Sequence, residues 1–385
     1  MKTSNIIYLL LVSLLLSCSQ QGELPVLLSP SINYSTIESI KYITDKTESP
    51  DSVINIHAVR HLGKKVVFVS DSGIYLINYV EKELEKFYKF NKTAHELYQK
   101  HYYLSVDMHA NMDCSKILIT TSSGQSSTAI GLQIDVESGN IDWMFEHSKQ
   151  ISTSTYSQDS KIIAIGTSYE KKDSGKYVAS LFMIDSESGE FTSYIRQGQS
   201  MRQVSFSEND QYIHSVLGWP HVDTYVWGAD SLNEYIGAFG KDQTAFYESC
   251  SIDKNRFVSI GQGGVYLWNY ETPSDTKIVC SGDIPSKNRL FNIRDNQTVV
   301  YVDYISGMKT GPLIKYFDYS FNHKKDVQIG HQFNEVEFSL NRNLLTGVNY
   351  NRDEMYCFDI VTESFEKYLT KSEINQIVIK AGNNM

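Results

Sequence analysis

Short apolar, β-branched and aromatic runs recur along this chain, each bounded by a polar turn. Val66-Val67-Phe68-Val69, Ile117-Leu118-Ile119 and Val299-Val300-Tyr301-Val302 are examples. Runs of this length and residue type predict strands. One stretch breaks the pattern: Thr93 to Tyr102 predicts a short helix inserted between the first two β units.

The turns are periodic. An aromatic or apolar residue, then Ser or Asn, then Asp or Asn shortly after, stands at Tyr156-Ser157-Gln158-Asp159, Phe206-Ser207-Glu208-Asn209, Cys250-Ser251-Ile252-Asp253 and Phe338-Ser339-Leu340-Asn341. Phe291-Asn292 is a looser copy, and the spacings are 50, 44, 41 and 47 residues. This predicts a hairpin in which an inward apolar residue ends a strand and Ser, Asp or Asn side chains cap the turn. A second mark closes a later strand at Ile77-Asn78, Ile134-Asp135, Ile184-Asp185, Trp227-Gly228, Trp268-Asn269, Phe317-Asp318 and Phe358-Asp359. Turns such as Glu137-Ser138-Gly139-Asn140 and Glu187-Ser188-Gly189-Glu190 follow it. A third mark, Gly plus a polar residue, precedes a unit's first strand at Gly198-Gln199, Gly240-Lys241, Gly282-Asp283 and Gly330-His331.

Three marks in fixed order, at a period of about 46 residues, describe a four-stranded unit repeated seven times. A lone unit cannot bury both faces of a twisted sheet, so such units stack around an axis. The expected fold is all-β: a seven-bladed β-propeller of four-stranded antiparallel blades, with six or eight blades as alternatives. The blades are expected at 51–90, 101–147, 150–197, 201–240, 244–281, 287–330 and 333–370. Two candidate strands, Ile37–Ile43 and Ile374–Ile379, remain to close the ring. One of them pairing into the blade at the other end would remove an open sheet edge.

These marks resemble those of WD-repeat and related bacterial propellers over about 320 residues, 51–370. Unit seven is the nearest copy, with Gly330-His331, Phe338-Ser339 and Phe358-Asp359. Gly-His occurs only there and Trp-Asp nowhere, so the His–Asp network of WD repeats is not expected in most blades. The resemblance implies an architecture and no particular activity.

The N-terminus adds an address. Lys2 precedes an apolar run from Ile6 to Leu16, ending Leu15-Leu16-Ser17-Cys18. A positive start and a brief apolar segment predict a secretory signal, too short to span a bilayer. The ending resembles a bacterial lipoprotein signal, which implies lipidation of Cys18. The organisation is then 1–17 signal peptide, 18–50 lipidated Cys, tether and ring-closing strand, 51–370 propeller, and 371–385 tail or closing strand. Ser19 rather than Asp after the lipidated Cys implies, by the same resemblance, the outer membrane of a Gram-negative host.

Charge and cysteine usage narrow the function. A net charge of −10 gives no electrostatic footprint for nucleic acid. Five cysteines leave Cys114, Cys250, Cys280 and Cys357 beside the lipidated one. Cys250 and Cys280 fall on the first and last strands of one blade, roughly 14 Å apart, beyond disulfide reach. All four are expected as buried free thiols. No Gly-x-Ser-x-Gly, Gly-x-x-x-x-Gly-Lys-Ser/Thr, His-Glu-x-x-His, Cys-x-x-Cys or Asp-x-Asp-x-Asp-Gly motif is present, so no cofactor, metal or catalytic residue is assigned. His57 with His61 and Asp107 with His109 are the nearest approaches to a cation site.

One face of the ring would gather the second-to-third-strand loops and the inter-blade loops. The candidate ligand-binding residues there are Trp219, His221, Tyr304, Tyr350, Arg352 and His331, with Arg196, Arg202 and Tyr247 in the inter-blade loops. Exposed aromatics beside Arg and His grip peptides and sugar rings. The leading function is a lipid-anchored, non-catalytic binding or scaffold module for a protein, peptide or glycan. The alternative is a propeller enzyme, a hydrolase or lyase on glycan or peptide or a cofactor-bound oxidoreductase. It would need convergent carboxylates, for which Asp223, Asp303 and Glu335 are nearest.

Overall fold

The computed structural model describes residues 43–44, 56–70, 72–90, 104–123, 129–147, 150–168, 170–171, 177–197, 200–218, 223–230, 232, 234–240, 246–272, 276–282, 289–293, 297–303, 311–330, 333–339, 344–349 and 353–383. The strands form seven antiparallel sheets, each built on four strands in chain order from the channel outwards, with a short fifth strand, Ile43–Thr44 or Glu170–Lys171, in two of them. The first strands are Ile56–Leu62, Leu104–Ala110, Ile151–Tyr156, Met201–Phe206, Phe246–Ser251, Arg289–Ile293 and Phe333–Ser339, which number the blades 1 to 7. This is the expected seven-bladed propeller. The Thr93–Tyr102 segment lies outside the described residues.

Period-2 alternation drives the assembly, because each middle strand serves two neighbours at once. In blade 1, Val66 and Phe68 face the seam with blade 7, while Val67 and Val69 face the seam with blade 2. Ile117 and Ile119 return to the blade 1–2 seam, and Leu118 turns to blade 3. Val299 and Tyr301 face blade 5, whereas Val300 and Val302 face blade 7. Seven apolar clusters result, one between each pair of neighbouring blades. Second strands are therefore buried almost throughout, as in Arg256–Gly261 and Tyr212–Leu217. Fourth strands form the rim, and His323–Gln328 is exposed and charged. Charges on an edge strand discourage pairing with other chains.

The turn marks have the expected chemistry. Ser138 donates from N and Oγ to Asp135 Oδ1, both at 2.8 Å, and Ser188 does the same to Asp185 at 2.8 and 2.9 Å. In the first-to-second-strand turns, the Ser157 and Ser207 hydroxyls each accept the N–H that opens the next strand, at 2.9 Å. Asn111 takes this part in blade 2, accepting from Lys116 N at 2.9 Å. These turns also latch blade to blade. Gln158 and Asp159 N–H groups donate to the Asp210 carboxylate of the next blade at 2.7 and 2.8 Å. Met112 N donates likewise to Ser160 Oγ, and Glu208 N to Ser251 Oγ.

Ring closure differs from expectation. Ile374–Ile379, read as a strand from its β-branched residues, lies within a helix, Lys371–Asn383. A capping box starts it: Glu373 N donates to Thr370 Oγ1 at 3.2 Å, and Thr370 N donates back to Glu373 Oε2 at 2.8 Å. Ile374, Ile377 and Val378 then fall on one stripe and pack with Tyr75 and Ile77 of blade 1 and Leu369 of blade 7. At the other end, Ile43–Thr44 pairs with Phe90 and Lys89, adding a fifth strand to blade 1 rather than crossing to blade 7. The seam between first and last blades thus closes by apolar packing under a helix, without strand exchange among the described residues. Cys114 and Cys357 are buried and outside any disulfide, whereas Cys250, expected buried, is half-buried and the Cys280 side chain lies outside the described residues; burial pushes Cys357 up to about 11. Trp227 and Trp268 are core residues, as their strand positions imply.

Two outcomes test this account. Ile374→Ala should destabilise the protein by about 2–5 kcal/mol, seen as a lowered Tm, because it opens a cavity at the closing seam. His214 is fully buried against Phe257 and Tyr270, and burial lowers its pKa from 6.5 to about 3. The unfolded chain therefore takes up a proton that the folded chain refuses as pH falls from about 6.5 towards 3. Urea unfolding between pH 7 and 5 should show His214 contributing a loss approaching ~1.4 kcal/mol per pH unit below the unfolded pKa. His214→Gln should flatten that dependence.

Candidate ligand-binding face

First strands run away from the inter-blade loops, so their opening residues and the ends of second strands share one face. Six residues assigned there from sequence, Trp219, His221, Tyr304, Tyr350, Arg352 and His331, lie outside the described residues, as does Cys18. The base of the Trp219 loop is described. Gly218 N donates to Ser200 O at 2.7 Å, and Leu217 N to Asp223 O at 3.2 Å. A Cβ at Gly218 would lie 3.9 Å from Cγ of Arg202, so the loop springs from beside that side chain.

Three residues expected in inter-blade loops lie on strands instead: Arg202 and Tyr247 on first strands, and Arg196 on the fourth strand Phe191–Gln197. Arg202 and Tyr247 each stand at a β-bulge. The register slips between Ile56 and Ala58, Ile151 and Thr153, Met201 and Gln203, Phe246 and Glu248, and Phe333 and Glu335. The extra residues are His57, Ser152, Arg202, Tyr247 and Asn334, one position in five blades. Blade 2 keeps regular register there, and the corresponding position of blade 6 lies outside the described residues. A bulge re-aims a side chain out of the pleat, and bulges concentrate at barrel rims and sites. Arg202 is exposed, and its guanidinium carbon lies 5.2 Å from the centre of the Tyr247 ring. Neighbouring bulges thus meet across the blade 4–5 seam. The sequence carried a trace of this in Ile-His-Ala, Ile-Ser-Thr, Met-Arg-Gln, Phe-Tyr-Glu and Phe-Asn-Glu, an apolar residue followed by two that alternation alone cannot assign to faces.

The next position inwards holds the blades together. Asp107 Oδ2 accepts from Ser154 N and Oγ of blade 3, at 2.6 and 2.9 Å. Thr153 Oγ1 accepts from Val204 N of blade 4, and Gln203 Oε1 from Ser249 N of blade 5 at 2.6 Å. Asp107 also faces His109 Nε2 at 2.9 Å through its other oxygen. Burial pushes the Asp107 carboxyl up, but His109, Arg60 and the Ser154 donors outweigh it and hold its pKa below the usual value. The pair is a blade-to-blade tie, and both carboxylate oxygens are occupied. His61, paired with His57 in the sequence, instead lies in the core with Nε2 2.9 Å from Tyr79 Oη. No group of three or more His, Cys, Asp or Glu able to hold a metal occurs among the described residues.

Of the acidic candidates, Asp303 is buried at the end of a second strand with Lys315 Nζ at 3.5 Å. Asp223 packs against the next inter-blade turn, where a Cβ at Gly240 would sit 1.8 Å from its Oδ1. The Glu335 side chain lies outside the described residues.

No family model and no curated protein matches the sequence. Solved structures do. The β-propeller domain of Myceliophteria thermophila Cps50 (Swd1) is 12% identical, covering 70% of this chain and 89% of that one, with a TM-score of 0.49. A prolyl endopeptidase structure, described for the role of inter-domain dynamics in catalysis and specificity, is also 12% identical. It covers 83% of this chain with a TM-score of 0.53, and this chain spans 50% of its length. The likeness is one of fold.

Asp107→Ala should destabilise the protein by about 1–3 kcal/mol in denaturant unfolding, because buried donors on Ser154 lose their acceptor. Added divalent cations should leave the wild-type Tm unchanged, as expected of a structural tie.

Proposed function

We propose that this chain is a lipid-anchored cell-envelope propeller that acts as a non-catalytic binding or scaffold module for a protein, peptide or glycan. The carrying observation is the division of labour on the first strands. One tier of polar side chains bonds blade to blade, while the bulged tier above it faces the mouth with Arg202 and Tyr247 in contact. A rigid ring under an outward tier suits recognition, since little ordering is needed on binding. Trp219, His221, Tyr304, Tyr350, Arg352 and His331 would extend that surface on the loops. Propellers commonly serve as protein-interaction platforms, which favours a protein or peptide over a glycan.

The enzyme reading has less support. Asp107 and His109, the one described acid–base pair on a first strand, are committed to a neighbouring blade, and Asp303 is ion-paired. The address rests on the apolar leader and Leu15-Leu16-Ser17-Cys18, with the outer membrane following from Ser19.

Growth of the host with an alkyne-bearing fatty acid should label the protein, and Cys18→Ala should abolish the label and release the chain from membranes. Detergent-solubilised full-length protein should then retain ligands on a peptide and glycan array, with Trp219→Ala weakening retention. Binding that ignores Trp219→Ala would place the contact surface elsewhere.

A further inference from the structure

Arg202 is unusually placed for a cation in an acidic chain with 45 Asp and Glu against 35 Lys and Arg. It is exposed, and no carboxylate pairs with it among the described residues. Its support is firm: Tyr247 is half-buried, and its ring packs on the blade 5–6 core while its face carries the guanidinium of blade 4. An arginine seated over a ring in this way is restricted in its side-chain freedom, yet its exposed N–H groups remain open to bidentate contact. Of the other bulge positions, His57, Ser152 and Asn334 are hydrogen-bonding residues and none is an acid. Below them, the ties from Thr153 and Gln203 link neighbouring first strands, so a ligand would rest on the mouth.

We propose that the Arg202–Tyr247 pair anchors a carboxylate of a partner protein, an Asp or Glu in an exposed peptide segment that docks on the channel mouth. The carboxylate takes both edge N–H groups of Arg202, and the methylenes behind it lie against the Tyr247 ring. This rests on the binding-module reading and gives it a ligand chemistry. A nucleic acid is disfavoured as the anion, because the net charge of −10 repels a polyphosphate chain, whereas one carboxylate feels mainly the local guanidinium.

The test is an array of short Asp- and Glu-containing peptides, their Asn and Gln twins, and uronate oligosaccharides, probed with detergent-solubilised full-length protein. Hits are followed by fluorescence anisotropy. Acidic peptides should bind and their amide twins should not, with affinity falling as salt rises. Arg202→Ala and Arg202→Lys should each weaken binding by about tenfold or more, the lysine because it lacks the fork. Tyr247→Phe should bind as wild type and Tyr247→Ala should not, with Tm confirming that each variant is folded. Equal binding by the amide twins, or an unchanged Kd for Arg202→Ala, overturns the proposal. So does uronate binding through Arg202 without any peptide, which would make the partner a glycan. If only neutral ligands bind, through Trp219, the carboxylate assignment falls and the binding-module reading stands; if no probe binds, both fall.

Discussion

Each blade exposes two apolar faces and can cover neither by itself. Everything else follows from that constraint. Val66 and Phe68 look one way and Val67 and Val69 the other, so a blade is stable only between two neighbours. A row of such units would leave uncovered faces at its ends, and bending the row into a ring removes them. The seam between blades 7 and 1 is therefore no different in kind from the other six, except that the chain does not run through it. Ile374, Ile377 and Val378 add a helical cover at the place where connectivity gives no help.

Polar side chains near the axis do two jobs, separated by a single position along the strand. Asp107, Thr153 and Gln203 each satisfy a backbone N–H of the following blade, so these bonds fix the relative height of neighbouring first strands. One residue before Thr153 and Gln203, a bulge breaks the pleat and points the side chain to the mouth. Hydrogen bonding at one level holds the geometry that the next level presents. The Asp107–His109 pair shows why residue type is a poor guide to chemistry, since its composition suggests a cation site and its partners make it a tie.

The C-terminal helix shows the same competition between local and distant signals. Its β-branched residues favour a strand, and period-2 reading of Ile374–Ile379 finds one. Thr370 and Glu373 carry the opposing signal, a four-residue capping box that outweighs weak propensity once the stripe of Ile374, Ile377 and Val378 finds an apolar seam. The box was visible in the sequence, but the seam that makes the helix worth forming was not.

The sequence by itself determined the blade count and the turn chemistry, because each depends on contacts within some 46 residues and so repeats as a pattern. Asp135, Asp185, Ser157 and Ser207 cap turns a few residues away, and alternation names the buried positions. Only the tertiary structure decided how the ring closes, where Arg202 and Tyr247 stand, and that Asp107 serves its neighbour. A bulge shifts one residue against a partner strand, and a seam joins residues some three hundred positions apart. Neither leaves a period in the chain, because both are set by a surface that exists only once the blades have met.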